Sequence, residues 1–274
     1  MIKRLIKDLA YPVIKSRPDF LVIGAQKAGT TSLYHYLKEH PQIFGNIGFK
    51  EVRYFDRSEH YDLGFSWYLG NFPSKLRKRN QLTCDASPNY LYYEFVPERI
   101  KKDLGTIKMI AILREPVSRA YSAWQMFHNF SDVDNDHLRR FYDKRSFAEA
   151  IEEEFTPDFD HTQYPFRYDY VGRGKYVHQL EHYYKYFEPD NILVLNVDEF
   201  RTNIDRVLNR VCVFLNIAPF DPETIQELKQ KKHNVGNYKF PKTPADEEKL
   251  NFLKEYYVPF NEKLYELLGE RYNW

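Results

Sequence analysis

Apolar residues fall along this chain in short unbroken runs separated by longer stretches of helical spacing. The run FLVIG (20–24) has no polar member and stops at a glycine, the pattern of a strand covered on both faces. TTSLYHYLKEHP (30–41) has helical character and stops at Pro41. LTCD (82–85) and IKMIAIL (107–113) read as further strands, the second almost wholly apolar. PVSRAYSAWQMF (116–127) places Pro116 in a first helical turn. SFAEAIEEEF (146–155) opens on a Ser-x-x-Glu capping box. GKYVHQLEHYYKYF (174–187) aligns Tyr176, Leu180, Tyr183, Tyr184 and Phe187 on one helical face. NILVLNVDEF (191–200) reads as a strand and its exit, 202–216 as a helix, and 244–268 as a long helix. Strands alternating with helices predict an α/β fold: a P-loop-type central parallel β-sheet flanked by helices on both faces, with right-handed crossovers. Residues 128–170 are the least regular stretch, read either as a lid or acceptor-binding insertion or as a solvated excursion.

The chain has 274 residues, 43% of them apolar, enough for a sizeable core. The expected organisation is an amphipathic N-terminal extension, 1–18, followed by one domain, 19–274. The extension is basic and reads as a helix docked on its own domain, with weak membrane-surface contact as the alternative. Its apolar stretches are broken by Lys3, Arg4, Lys7 and Asp8, which excludes a signal-peptide pattern. No apolar run approaches the roughly 20 residues of a membrane span. A net charge of +1 provides no global field for nucleic acid, so any basic site is local. Cys84 and Cys212 read as two reduced core thiols, and no metal-ligand spacing is present. The 23 tyrosines suit sugar or aromatic binding and fit a compositional bias equally well.

Chemistry enters between the first strand and the first helix. Gly24 and Gly29 have the spacing of G-x-x-x-x-G-K-[ST], and Thr31 stands at its last position, but Thr30 occupies the lysine position and the loop's lysine is Lys27. Such a loop still aims backbone N–H groups and a helix N-terminus at an anion. Without the usual lysine a magnesium-bound triphosphate is poorly served, and a single 5′-phosphate bearing another group fits better.

PDFLVIGAQKAGTTSLYHYLKEHPQI followed by FKEVRYFD (49–56) resembles the sulfotransferases that use 3′-phosphoadenosine 5′-phosphosulfate (PAPS), in their carbohydrate branch. The resemblance implies that Gly24, Gln26, Lys27, Ala28, Gly29, Thr30 and Thr31 hold the 5′-phosphosulfate, with Lys27 beside the transferring group and Glu51, next to Lys50, as the catalytic base. AILREPVSRAYSAW (111–124) resembles the family's 3′-phosphate site, which implies that Arg114 and Ser122 bind that phosphate. KKHNVGN (231–237) lies where the family has a loop over the nucleotide, making Lys232 and Asn234 candidates. Looser similarity extends the resemblance over 19–274. It implies a metal-free in-line transfer from PAPS to an acceptor hydroxyl, leaving adenosine 3′,5′-bisphosphate (PAP).

Two departures bear on the acceptor. Arg53 stands where some heparan sulfate enzymes have a histidine, and DASP (85–88) puts Ala86 where they have a lysine, which weakens the case for a heavily sulfated glycosaminoglycan. Lys50, Arg53, Trp67, Tyr90 and His128 are the candidate acceptor-site residues, with Trp67, Tyr68 and Tyr90 as rings for stacking on a sugar and a structural role as the alternative for each, His128 included. A carbohydrate hydroxyl is the expected acceptor; a lipid, phenol or small metabolite is the runner-up. A P-loop kinase and a degenerate nucleotide-binding scaffold are the rivals from other classes. The expected compartment is the cytoplasm, with a Golgi-lumen domain as the alternative, and the sequence leaves oligomeric state open.

Overall fold

In a computed structural model of the chain, residues 9–48, 50–159, 168–230 and 239–274 are described. Four strands form one sheet: β1 (Phe20–Gly24), β2 (Cys84–Ala86), β3 (Lys108–Leu113) and β4 (Ile192–Asn196). Their order is β2–β1–β3–β4 and every pairing is parallel. The main helices are α1 (Thr30–Lys38), α2 (Val96–Leu104), α3 (Pro116–His128), α4 (Phe147–Glu154), α5 (Tyr176–Tyr183), α6 (Ile204–Leu215) and α7 (Pro244–Leu268). Each expected strand and helix is present within a few residues of its expected bounds. One difference concerns VDEF, expected as a strand exit: Val197–Thr202 is helical, started by Asn196, whose side chain accepts from the Asp198 N–H. α2 and a further helix, Pro222–Gln230, lie where the apolar pattern gives no element. Each opens with proline in its first turn, and only Val96, Pro97 and Ile100 in the one, and Ile225 and Leu228 in the other, are buried.

The chain divides into two compact units, the first comprising Met1–Leu113 with Glu181–Asn234 and the second Arg114–Leu180 with Val235–Trp274. The first holds the whole sheet. Successive residues Phe20, Leu21, Val22 and Ile23 are all fully buried, so β1 is covered on both faces, which explains its unbroken apolar run. Phe20 and Val22 join Leu33 and Leu37 of α1, Ile110 and Ile112 of β3, and Val207, Leu208 and Val211 of α6 in one core. Both cysteines are free and buried in that core, Cys84 in β2 and Cys212 in α6. Residues 9–14 are helical. The extension is tied to this unit by Lys15, whose Nζ donates to Phe72 O (2.8 Å), and by Ser16, whose Oγ donates to Pro73 O (2.8 Å), while Leu9 and Val13 stay 70% exposed.

The second unit has its own core, in which Val117, Tyr121, Trp124 and Phe127 of α3 meet Phe147 and Ile151 of α4 and Leu253 and Tyr257 of α7. α4 opens on the expected capping box, Ser146 with Glu149. At its other end the buried Glu154 carboxylate accepts from the N–H groups of Tyr170 (2.6 Å) and Val171 (2.7 Å), tying down chain that has no ladder to join.

Gly24 closes β1 under Leu91, and a Cβ there would lie 2.5 Å from the Leu91 Cβ. Gly24→Ala is therefore expected to lower stability by about 1–3 kcal/mol, read from urea unfolding. An unchanged midpoint would contradict the tight packing.

Candidate active site

In a parallel sheet every strand ends on the same edge, and ligands gather at that carboxyl edge. β1 ends at Gly24 and passes directly into the loop 25–29, anchored where the Ala25 N–H donates to Ile112 O of β3 (2.7 Å). Within the loop Lys27 (φ 67°) and Gly29 (φ 95°) are both left-handed. Glycine accepts that conformation freely, whereas lysine does so against its preference. Gly29 is also the N-cap of α1 and contributes no side-chain cap, so the first-turn N–H groups of Thr30 and Thr31 are not covered by a capping side chain. Ala28 is fully buried, and Gln26 Oε1 is buried without a hydrogen-bond partner among the described residues. An uncapped helix start on a left-handed loop presents the backbone N–H donors that a phosphate-bearing ligand needs.

β2 delivers the second part of the site to the same edge. Its register places Ala86 beside Val22, and the residues around its end hold the loop that carries Glu51. Asp85 is fully buried. Its Oδ1 accepts from Ser87 Oγ (2.7 Å), and its Oδ2 from the hydroxyls of Tyr90 (2.7 Å) and Tyr68 (3.3 Å). The Ser87 oxygen in turn accepts from the Arg53 N–H (3.0 Å), and the Tyr90 oxygen from those of Tyr54 (3.0 Å) and Phe55 (3.4 Å). Glu51 remains 39% exposed at its side chain and pairs with Lys50 (3.1 Å). Arg53 is left-handed (φ 57°), and its guanidinium is committed to Asp56 Oδ2 from Nε (2.9 Å) and Nη2 (2.5 Å).

The expected acceptor residues divide. Trp67 is half-buried against His60 (4.9 Å between centroids) and Tyr54 (6.3 Å). Tyr68 and Tyr90 take the structural alternative of their two roles: both rings are fully buried and both hydroxyls serve Asp85. Ala86 is buried too. The sequence pattern missed Asp85, Ser87 and Tyr68 as the support of this loop; the signal was an acid inside an otherwise apolar strand.

In the second unit Arg114 follows β3 immediately and starts a hollow of about 490 Å³ whose wall includes Ser118, Tyr121, Phe240, Lys242 and Lys254. Ser122 lies on α3 with 3% exposure. His128 donates from Nδ1 to Asp143 O (2.8 Å), stacks on Trp124 (4.7 Å) and meets Phe240 edge-on, which is the structural alternative of the two roles considered for it. Lys232 and Asn234 lie outside the described residues.

Burial pushes the Asp85 carboxyl up from 3.8 to about 6, against hydrogen bonds from Tyr90, Ser87 and the Val52 N–H that pull it down; Asp56 adds to the rise. Tyr68, Cys84 and Tyr34 are the further titratable groups that sense its charge. The folded value stands above the unfolded one, so the group adds stability as pH falls from 8 toward 5 and withdraws it as pH rises through about 6. Urea unfolding of wild type is expected to gain about 1 kcal/mol relative to Asp85→Asn between those two pH values. A constant difference would contradict a buried carboxylate that ionises near neutrality.

A sulfotransferase-domain family model matches residues 17–247. The chain is 33% identical over 270 residues to bifunctional heparan sulfate N-deacetylase/N-sulfotransferase 4 of Mus musculus, aligning 92% of this chain with 30% of that protein. It therefore spans about 30% of the length of that relative. It is 26% identical over 277 residues to heparan sulfate glucosamine 3-O-sulfotransferase 5 of Homo sapiens, with 96% of this chain and 76% of that protein covered. In fold, it is similar to the crystal structure of a sulfotransferase from Alicyclobacillus acidocaldarius, with a TM-score of 0.68 at 24% identity and coverage of 94% and 98%. With the family model spanning most of the residues and the phosphate-type loop at its expected strand end, this chain belongs to the sulfotransferase-domain family.

Proposed function

We propose that this sulfotransferase uses PAPS as donor and a carbohydrate hydroxyl as acceptor, with Glu51 as the general base. The observation that carries this reading is that the Gly24–Thr31 loop leaves the carboxyl end of β1 while the loop after Glu51 is held by Ser87 and Tyr90, just past the carboxyl end of the neighbouring parallel strand β2, within one compact unit. PAPS supplies an activated sulfuryl group and leaves as PAP. The N–H groups around Lys27–Thr31 and the Thr30 and Thr31 hydroxyls bind the 5′-phosphate, and the Lys27 ammonium offsets charge growing on the phosphate oxygen. Glu51 takes the proton of the acceptor hydroxyl, its exposed edge leaving it accessible to that group. Lys50 pairs with Glu51 at 3.1 Å and orients its carboxylate. Arg114 and Ser122 are assigned to the 3′-phosphate, the arginine through its two-pronged fit to phosphate, and Lys232 and Asn234 to a loop over the nucleotide. Arg53 braces Asp56, so its part in acceptor binding runs through that carboxylate. Trp67 is the ring proposed to contact a sugar.

Glucosamine amines form a second acceptor class, favoured by the N-sulfotransferase name of the relative that is 33% identical. Transfer from labelled PAPS is therefore compared across a heparan-type oligosaccharide without sulfate, its N-deacetylated form, a simple phenol and a long-chain alcohol. Transfer to the first supports the reading, and transfer to any of the others alone redirects it.

Calorimetry with PAP in EDTA is expected to give tight binding that Arg114→Ala weakens by about 10- to 100-fold. Binding of magnesium–ATP in its place would overturn the donor assignment. Glu51→Gln is expected to keep PAP affinity and to lose transfer by about 10²- to 10⁴-fold. Retention of full turnover would remove Glu51 from the mechanism.

A further inference from the structure

A carboxylate without exposed surface burdens a fold, and an apolar residue at the same place in a strand would not. Asp85 nevertheless occupies the middle of β2 with none of its surface exposed. What it touches explains its presence. Through Ser87 it governs the Arg53 N–H, and through Tyr90 those of Tyr54 and Phe55. Three consecutive amides of the loop, beginning two residues after Glu51, thus end on one buried acid through two hydroxyls.

The polarity of this arrangement is forced. A hydroxyl has a single proton. Ser87 and Tyr90 both direct theirs to Asp85, at 2.7 Å each, which leaves their oxygens as acceptors toward the loop. Only an acceptor at both Asp85 oxygens permits this. An amide in the same shape would present a donor to one hydroxyl, whose own proton would then turn toward backbone N–H groups that also donate. The clamp also holds Arg53 in the left-handed conformation (φ 57°) that a non-glycine residue leaves when released.

We propose that Asp85 is a positioning residue for the base: its carboxylate, acting with Ser87 and Tyr90, fixes the backbone from Arg53 to Phe55 and so sets where Glu51 stands. The catalytic part of this proposal rests on Glu51 being the base. Tyr183 supports the same point from α5, its hydroxyl donating to Tyr90 O (2.8 Å), and Arg99 of α2 donates to Phe55 O (3.0 Å) at the far end of the loop.

The test is Asp85→Asn in the full chain, with Ser87→Ala as a milder second variant that cuts one arm. Three readouts are taken: amide exchange over residues 51–56, PAP affinity by calorimetry, and kcat and KM for transfer from labelled PAPS to the heparan-type oligosaccharide. Asp85→Asn is expected to speed exchange of the loop amides about tenfold or more while strand amides of β1 and β3 keep their protection. PAP affinity should stay within about twofold, and kcat should fall about 10- to 100-fold with KM little changed, the signature of a displaced rather than a missing group. Ser87→Ala should fall between wild type and Asp85→Asn on exchange and on kcat. Loop amides as protected as in wild type would overturn the proposal. So would loss of protection throughout the sheet together with PAP affinity, which would mark Asp85 as a general stability residue. A wild type that neither binds PAP nor transfers a sulfuryl group would refute the underlying functional reading, and the exchange comparison would still decide whether Asp85 holds the loop.

Discussion

A buried hydroxyl can donate once, and around Asp85 that limit shapes the site. β2 has three residues, too short to order the 51–55 segment by a ladder of its own. The segment is ordered by acceptors lent to it: two hydroxyls whose protons the carboxylate has taken. Remove the negative charge and the amides of the loop lose their partners in sequence. The same carboxylate also receives Tyr68, which stacks on Tyr54 at 4.7 Å. An aromatic layer and a loop backbone are thereby registered by one pair of oxygens.

The second unit solves a similar problem in a similar way. Glu154 holds the amides of Tyr170 and Val171, and the fully buried Arg119 donates to the Tyr170 carbonyl from α3. Burial raises the Glu154 carboxyl well above its usual range, the nearby Asp169 raises it further, and the two amides and Arg119 pull it back. Tyr170 completes the network by donating its hydroxyl to Asp143 (2.9 Å). In both units, acids inside the protein organise irregular backbone that neither helix nor sheet can satisfy.

The sheet was the most legible part of the sequence. FLVIG and IKMIAIL are unbroken because β1 and β3 are covered on both faces, and hydrophobic runs report that directly. The phosphate-type loop was legible through its two glycines, one packed under Leu91 and one left-handed at the start of α1. The helices 96–104 and 222–230 were not legible, because so few of their positions are buried. The roles of Tyr68 and Tyr90 stayed open between two alternatives for a different reason. Composition cannot tell a tyrosine that faces a ligand from one whose hydroxyl closes a buried network. That choice depends on an acid, Asp85, distant from Glu51 in sequence and joined to it only by folding.

The two cysteines carry a consequence for the surroundings in which this chain can work. Cys84 lies in β2 with no exposed surface and Cys212 in α6 with 1%. Burial pushes both thiols above their ordinary value, and Asp85 pushes Cys84 further. Oxidants and alkylating agents attack the thiolate, so neither sulfur is a ready target while the fold is intact. No covalent cross-link takes part in holding the described residues together. The native state is thus electrochemically neutral: glutathione poise outside the protein neither completes its structure nor damages it.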